Sequence, residues 1–203
     1  TMAYNSDINA VSVCVVATSH YTGSSYNVAD GALASFSNHC GKVSAYCIAA
    51  PGDYLWSLRH DSNGEKFGSG TSMAAPMVSG GLALIMQEFS SLTPSQVVSR
   101  LLTTANDSGE YSQTSYYGHG LMNLNAATAA IAKLQTINGS NLLDDPNTSY
   151  YDLADSSFLS SAAFANAINS SLNGKTLEVY DSFDRANFKV KVSDFFGSGS
   201  YIS

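Results

Sequence analysis

A chain of 203 residues, 44% hydrophobic and 11% aromatic, is long enough to bury one medium-sized core with an appendage. Nine basic and sixteen acidic residues give a net charge of -7, and no Lys/Arg cluster occurs, which argues against nucleic acid or an anionic membrane as a partner. No apolar run reaches the roughly 18–20 residues of a membrane-spanning helix, and no signal sequence is visible.

From the N-terminus, Ala10 to Thr18 is short, β-branched and almost uniformly apolar, as expected of a strand buried on both faces of a parallel sheet. Cys14 lies inside it and reads as a buried, inert thiol. Ser19 to Ala45 is rich in Ser, Gly, Asn and Tyr and reads as loops. Cys47 to Ala50 is a second buried strand, ended by the turn signal Pro51-Gly52. Cys40 and Cys47 flank the polar stretch Gly41 to Tyr46, which suits either a disulfide-clipped loop or two free thiols.

Asp53 to Gly70 reads as a polar connection. Met73 to Met86 carries one clearly polar side chain, Ser79, and predicts a helix apolar and therefore buried all round. Pro76 is tolerated near its first turn. Gly80 and Gly81 each cost about 1 kcal/mol relative to Ala, which close approach to a neighbouring backbone would offset. Thr93-Pro94-Ser95-Gln96 announces a second helix with a capping box. A third is expected after Gly118-His119-Gly120, capped by Asn123 or Asn125 and running to Leu134. Residues 137–149 read as a linker. Beyond it, Leu177/Val179 and Phe188/Val190/Val192 alternate with polar residues and predict a hairpin. Asp144-Asp145 and Asp181/Asp184 read as solvated turns, and neither a metal nor a cofactor is expected.

The chemistry concentrates in Gly70-Thr71-Ser72. Ser72 stands where a glycine-rich loop meets the start of a helix, so free N–H groups and the positive end of the helix dipole converge there. Such a serine either caps the helix or serves as a nucleophile beside oxyanion donors.

Gly70-Thr71-Ser72-Met73-Ala74-Ala75-Pro76, followed by Val78 and Gly80-Gly81, resembles the serine signature of the subtilisin family. Ala34-Ser35-Phe36-Ser37-Asn38 and Ile48-Ala49-Ala50-Pro51-Gly52 resemble the segments before it; Leu101 to Asn106 and Gly118 to Asn123 resemble those after it. The resemblance covers residues 10 to 134 and implies an α/β, subtilisin-like three-layer fold with a parallel sheet flanked by helices, of which this chain is the C-terminal part (1–136). It also implies Ser72 as nucleophile, an oxyanion-binding turn at Gly70, Thr71 and Ser72, and a Cys40–Cys47 disulfide.

Met77, where many subtilisins carry His, together with the cysteine loop and the tail, resembles the subtilisin-type passengers of Gram-negative autotransporters. That implies a secreted or surface-displayed endopeptidase acting on polypeptide substrates, with residues 150–203 as an extension carrying short β-strands. The family order of Asp, His, oxyanion Asn, then Ser places the first three upstream of this region. None of His20, His39, His60 and His119 has the His-Gly-Thr setting of the family's base. The expected partner is therefore an N-terminal part of the same peptidase carrying Asp and His. Alone, this chain is expected to be nearly inactive, since loss of the His costs roughly a million-fold in turnover. A catalytically inactive adhesin or interaction scaffold on the same fold is the alternative.

Overall fold

Two parallel strands form the frame on which the Ser72 region is built. The computed structural model describes residues 10–19, 31–59, 61–137, 150–152, 171 and 174–191, and its contacts divide into two compact units, Thr1–Ala129 and Ala130–Ser203. In the first unit, β1 (Cys14–Ser19) and β2 (Cys47–Asp53) pair from Cys14↔Cys47 to Thr18↔Pro51, with a register shift before Ser19↔Asp53. Both faces are covered, which explains why the strands are so uniformly apolar. A long helix, α1 (Thr71–Glu88), packs on one face. On the other, Val16, Cys47 and Ala49 form a core with Cys40 and Tyr117.

Two strand expectations need correction. Burial starts at Val16, where the Tyr117 layer begins, so Cys14 stands before it and is exposed rather than buried. Pro51-Gly52 does not end β2; the chain stays extended to Asp53 and bends at Tyr54, whose φ is +56°.

Cys40 and Cys47 are bonded, with Cα atoms 5.8 Å apart, around a 3-10 segment, Gly41–Tyr46. Closing so short a loop is worth about 2–3 kcal/mol in chain entropy. Gly118 abuts the bonded cysteine at φ +64°, and a Cβ there would lie 2.1 Å from the Cys47 carbonyl oxygen, so only glycine fits.

The stretch after Ser72 is helical, as its apolar run requires, but it is not buried all round. Only Ala74, Val78, Gly81 and Ile85 are buried, a single stripe facing the strands. Met77, Leu84 and Met86 are 44%, 52% and 48% exposed, because two strands cover only one side of the helix. Gly81 makes the expected close approach, though to side chains: a Cβ would meet Leu124 at 2.9 Å and Met122 at 3.0 Å. Gly80 faces open space.

Helix α2 (Pro94–Thr103) begins with the expected capping box: Gln96 N–H donates to Thr93 Oγ1 (3.4 Å) and Thr93 N–H to Gln96 Oε1 (2.9 Å). A one-turn helix, α3 (Thr114–Tyr117), carries the buried Tyr117, whose hydroxyl accepts the Leu33 N–H at 3.0 Å. Burial pushes the Tyr117 phenol above its ordinary pKa.

The third expected helix is far shorter. α4 (Leu124–Ala127) is capped by Asn123 and stops, despite the alanines that follow. Buried Arg100, on α2, explains the stop. Its Nε donates to Ala127 O (2.7 Å) and its Nη2 to Ala129 O (2.5 Å), taking carbonyls that a continuing helix would need. Arg100 also lies over the Phe89 ring, 4.4 Å from its centroid.

Asp53 to Gly70 is not merely a connection. It folds as an antiparallel hairpin of β3 (Leu55–Leu58) and β4 (Glu65–Gly68), with exposed Tyr54 stacked on Phe67 and exposed Trp56 meeting the same exposed ring edge-on.

In the second unit, β5 (Leu134–Ile137), β6 (Tyr150–Asp152), β7 (Thr176–Asp181) and β8 (Asn187–Lys191) form an antiparallel sheet in the order β6-β5-β7-β8. The expected hairpin is β7–β8, with Lys189 and Lys191 exposed. Leu134, the expected end of the third helix, instead opens β5. The sheet thus begins before the expected boundary at 136, while residues 138–149 of the expected linker, Asp144-Asp145 among them, lie outside the described residues. Asp181 and Asp184 are buried rather than solvated: Asp181 accepts the N–H groups of Ile131 and Asp184, and Asp184 accepts that of Ala186.

Arg100→Met would leave the Ala127 and Ala129 carbonyls without their donors. Urea unfolding should show a loss of about 2–4 kcal/mol, with the disulfide intact; an unchanged midpoint would count against the clamp.

Candidate active site

Ser72 is the second residue of α1, and its position follows from how tightly the preceding turn is seated on β2. Gly70, the residue before the helix, has φ +151° and ψ +159°, a region essentially confined to glycine. Its N–H donates to Gly52 O at 2.7 Å, and its own carbonyl accepts from Met73 N (3.0 Å) and Ala74 N (3.4 Å). A Cβ on Gly52 would lie 2.6 Å from Ala17 Cβ, 2.9 Å from Gly70 O and 3.0 Å from Ala74 Cβ. The two glycines let strand, turn and helix meet at backbone distance. Between the same two segments, Tyr54 N–H donates to Ser69 Oγ at 2.9 Å.

With the first helical bonds starting at Met73, the N–H groups of Thr71 and Ser72 have no intrahelical acceptor. The helix dipole adds to the positive potential there. Ser72 is exposed, and no described residue hydrogen-bonds its hydroxyl. The arrangement offers an accessible hydroxyl beside oriented donors, in which an oxyanion would find partners.

The structure brings Gly70, Thr71 and Ser72 together and holds neither described histidine with them. His39 is stacked on Tyr116, ring centroids 4.1 Å apart, and His119 Nε2 sits 3.1 Å from Ala45 O; both are engaged on the side of the sheet that carries the disulfide. His20 and His60 lie outside the described residues. A cleft of about 430 Å³ lined by Leu33, Ser37, His39, Gln113 and Tyr116 includes none of the Gly70–Ser72 turn.

The sequence model described as the subtilase family matches residues 2–120, more than half of the chain. The chain belongs to the subtilase family. It is 41% identical over 101 residues to serotype-specific antigen 1 of Mannheimia haemolytica, covering 47% of this chain and 11% of that protein. It is 36% identical over 91 residues to the autotransporter lipoprotein NalP of Neisseria meningitidis serogroup B, covering 45% and 8%. With an extracellular serine protease of Serratia marcescens it shares 34% over 118 residues, covering 47% and 11%. The chain thus spans only about a tenth of the length of these relatives. Its parallel strands flanked by helices are the α/β, subtilisin-like arrangement of the family.

Pro51-Gly52 has the composition of an ordinary turn, so the part Gly52 plays in seating Ser72 is not legible locally. Its pairing with Gly70 is long-range and leaves no mark in either local sequence. Gly52→Ala should displace the Gly70 turn and cost about 1–3 kcal/mol, the usual range for an overpacked position. Thermal unfolding of the variant checks this; an unchanged melting temperature would show that the junction has slack.

Proposed function

We propose that this chain is the nucleophile-bearing part of an exported serine endopeptidase, in which Ser72 attacks the scissile carbonyl of an extended polypeptide. The observation that carries the reading is the accessible Ser72 hydroxyl at the start of α1, with the Thr71 and Ser72 N–H groups free of helical partners. In acylation, Ser72 Oγ bonds to the carbonyl carbon as its proton passes to a general base. The C–N bond then breaks as the amine takes that proton, and water hydrolyses the ester. The Ser72 N–H is the proposed backbone donor to the developing oxyanion.

The base His, its orienting Asp and the side-chain oxyanion Asn are assigned to a part of the peptidase outside this sequence. His39 and His119 have other partners, which supports that assignment. So does the uncovered apolar side of α1, with Met77, Leu84 and Met86 open to packing by further chain. Extracellular action accords with the Cys40–Cys47 bond, a feature of oxidising compartments, and with the extracellular and autotransporter relatives. Residues 150–203 are proposed as an extension toward an outer-membrane anchor, with β5 (Leu134–Ile137) belonging to the same sheet.

A fluorophosphonate probe tests the reading directly. The intact protein should be labelled, and Ser72→Ala should abolish labelling. This chain by itself should react slower by several orders of magnitude, in line with a serine deprived of its base. A well-folded intact protein that takes no label would instead be an inactive scaffold.

A further inference from the structure

The inference drawn here rests on the reading of Ser72 as a nucleophile and concerns what holds that nucleophile in place. Ser72 follows a short glycine-flanked run, Gly68-Ser69-Gly70, whose backbone is permissive on both sides of Ser69. Two hydrogen bonds tie this run to the Gly52–Tyr54 corner at the end of β2. One is the backbone bond from Gly70 N–H to Gly52 O (2.7 Å). The other, from Tyr54 N–H to Ser69 Oγ (2.9 Å), depends on a side chain. A single bond leaves a pivot about itself; two bonds at successive residues remove it.

The corner is built to present that second donor. Tyr54 is one of three non-glycine residues with positive φ among the described residues, at +56°, a conformation that costs about 1–2 kcal/mol and persists only where the surroundings enforce it. Its ring is stacked on Phe67, centroids 4.1 Å apart, so ring and amide grip the same end of β4. Behind it, Ser19 Oγ donates to Asp53 Oδ2 at 3.2 Å, tying the corner to β1. The strained residue is thus anchored on one side to the sheet and on the other to the run that leads into Ser72.

We propose that Ser69 is a positioning residue: its hydroxyl, accepting the Tyr54 N–H, sets the orientation of the Gly70–Ser72 turn and so the approach of Ser72 Oγ to the substrate carbonyl. Tyr54 and Ser69 are both exposed, so the bond buries little and contributes little to stability. Its effect falls on geometry, where a displacement of about 1 Å can cost a hundred-fold in rate.

The test uses the intact peptidase carrying wild-type sequence, Ser69→Ala or Ser69→Thr, with kcat and KM on a chromogenic peptide, the fluorophosphonate labelling rate and the melting temperature. Ser69→Ala should lower kcat about tenfold and slow labelling in proportion. KM should stay within about twofold and the melting temperature within about 2 °C, because the bond is exposed. Ser69→Thr, which keeps the hydroxyl, should restore the rate. An unchanged kcat, a loss that Thr does not rescue, or a loss matched by a fall in melting temperature would overturn the proposal. Failure of the wild type to take the probe would overturn the reading of Ser72, and this role of Ser69 with it.

Discussion

Everything around Ser72 depends on one backbone contact, the hydrogen bond from Gly70 N–H to Gly52 O. The end of the strand and the start of the helix meet this closely because Gly52 has no Cβ and because Gly70 can take a backbone conformation other residues rarely adopt. Gly52 lies against Ala17 and Ala74, themselves small, and Gly70 occupies a backbone region closed to other residues. The result places the first free N–H groups of α1 beside an exposed hydroxyl. Rearranging the junction would require moving the strand, the helix or both, since both are packed against each other along the Ala74–Val78–Gly81–Ile85 stripe.

How much of this is legible in the sequence varies with the range of the interaction responsible. The capping box at Thr93 and Gln96 is local and is read correctly from four residues. The α1 run is long and apolar enough to be recognised as a helix, yet apolarity alone cannot say which side meets the strands. Burial on one stripe follows from having two strands to pack against. The alanines after Leu124 favour helix, but Arg100, more than twenty residues earlier, takes the carbonyls they would need. A tertiary donor there outweighs local propensity. The hairpin of β3 and β4 was hidden for a different reason. Its polar and glycine residues resemble a loop, while its aromatic residues pair across strands and not along the chain.

The candidate site divides in the same way. The Gly70 to Pro76 run is contiguous and therefore visible, and the family match covers it. Gly52 and Tyr54, which seat it, come from the end of β2 and the residue after it, and nothing in the local sequence marks their bonds to Gly70 and Ser69. Neither described histidine bonds to the Gly70–Ser72 turn: His39 is stacked on Tyr116, and His119 Nε2 lies beside Ala45 O.

The disulfide has a mechanical consequence for the opposite end of its strand. Cys47 begins β2 and Gly52 lies near its end, so this strand is fastened at both extremities, covalently at one and by the glycine contact at the other. A parallel pair can ordinarily explore a two-residue slip that keeps the same faces inward. Here such a slip would have to drag the Gly41–Tyr46 loop along and pull Gly52 out from beneath the helix, so alternative alignments of β1 and β2 are closed off.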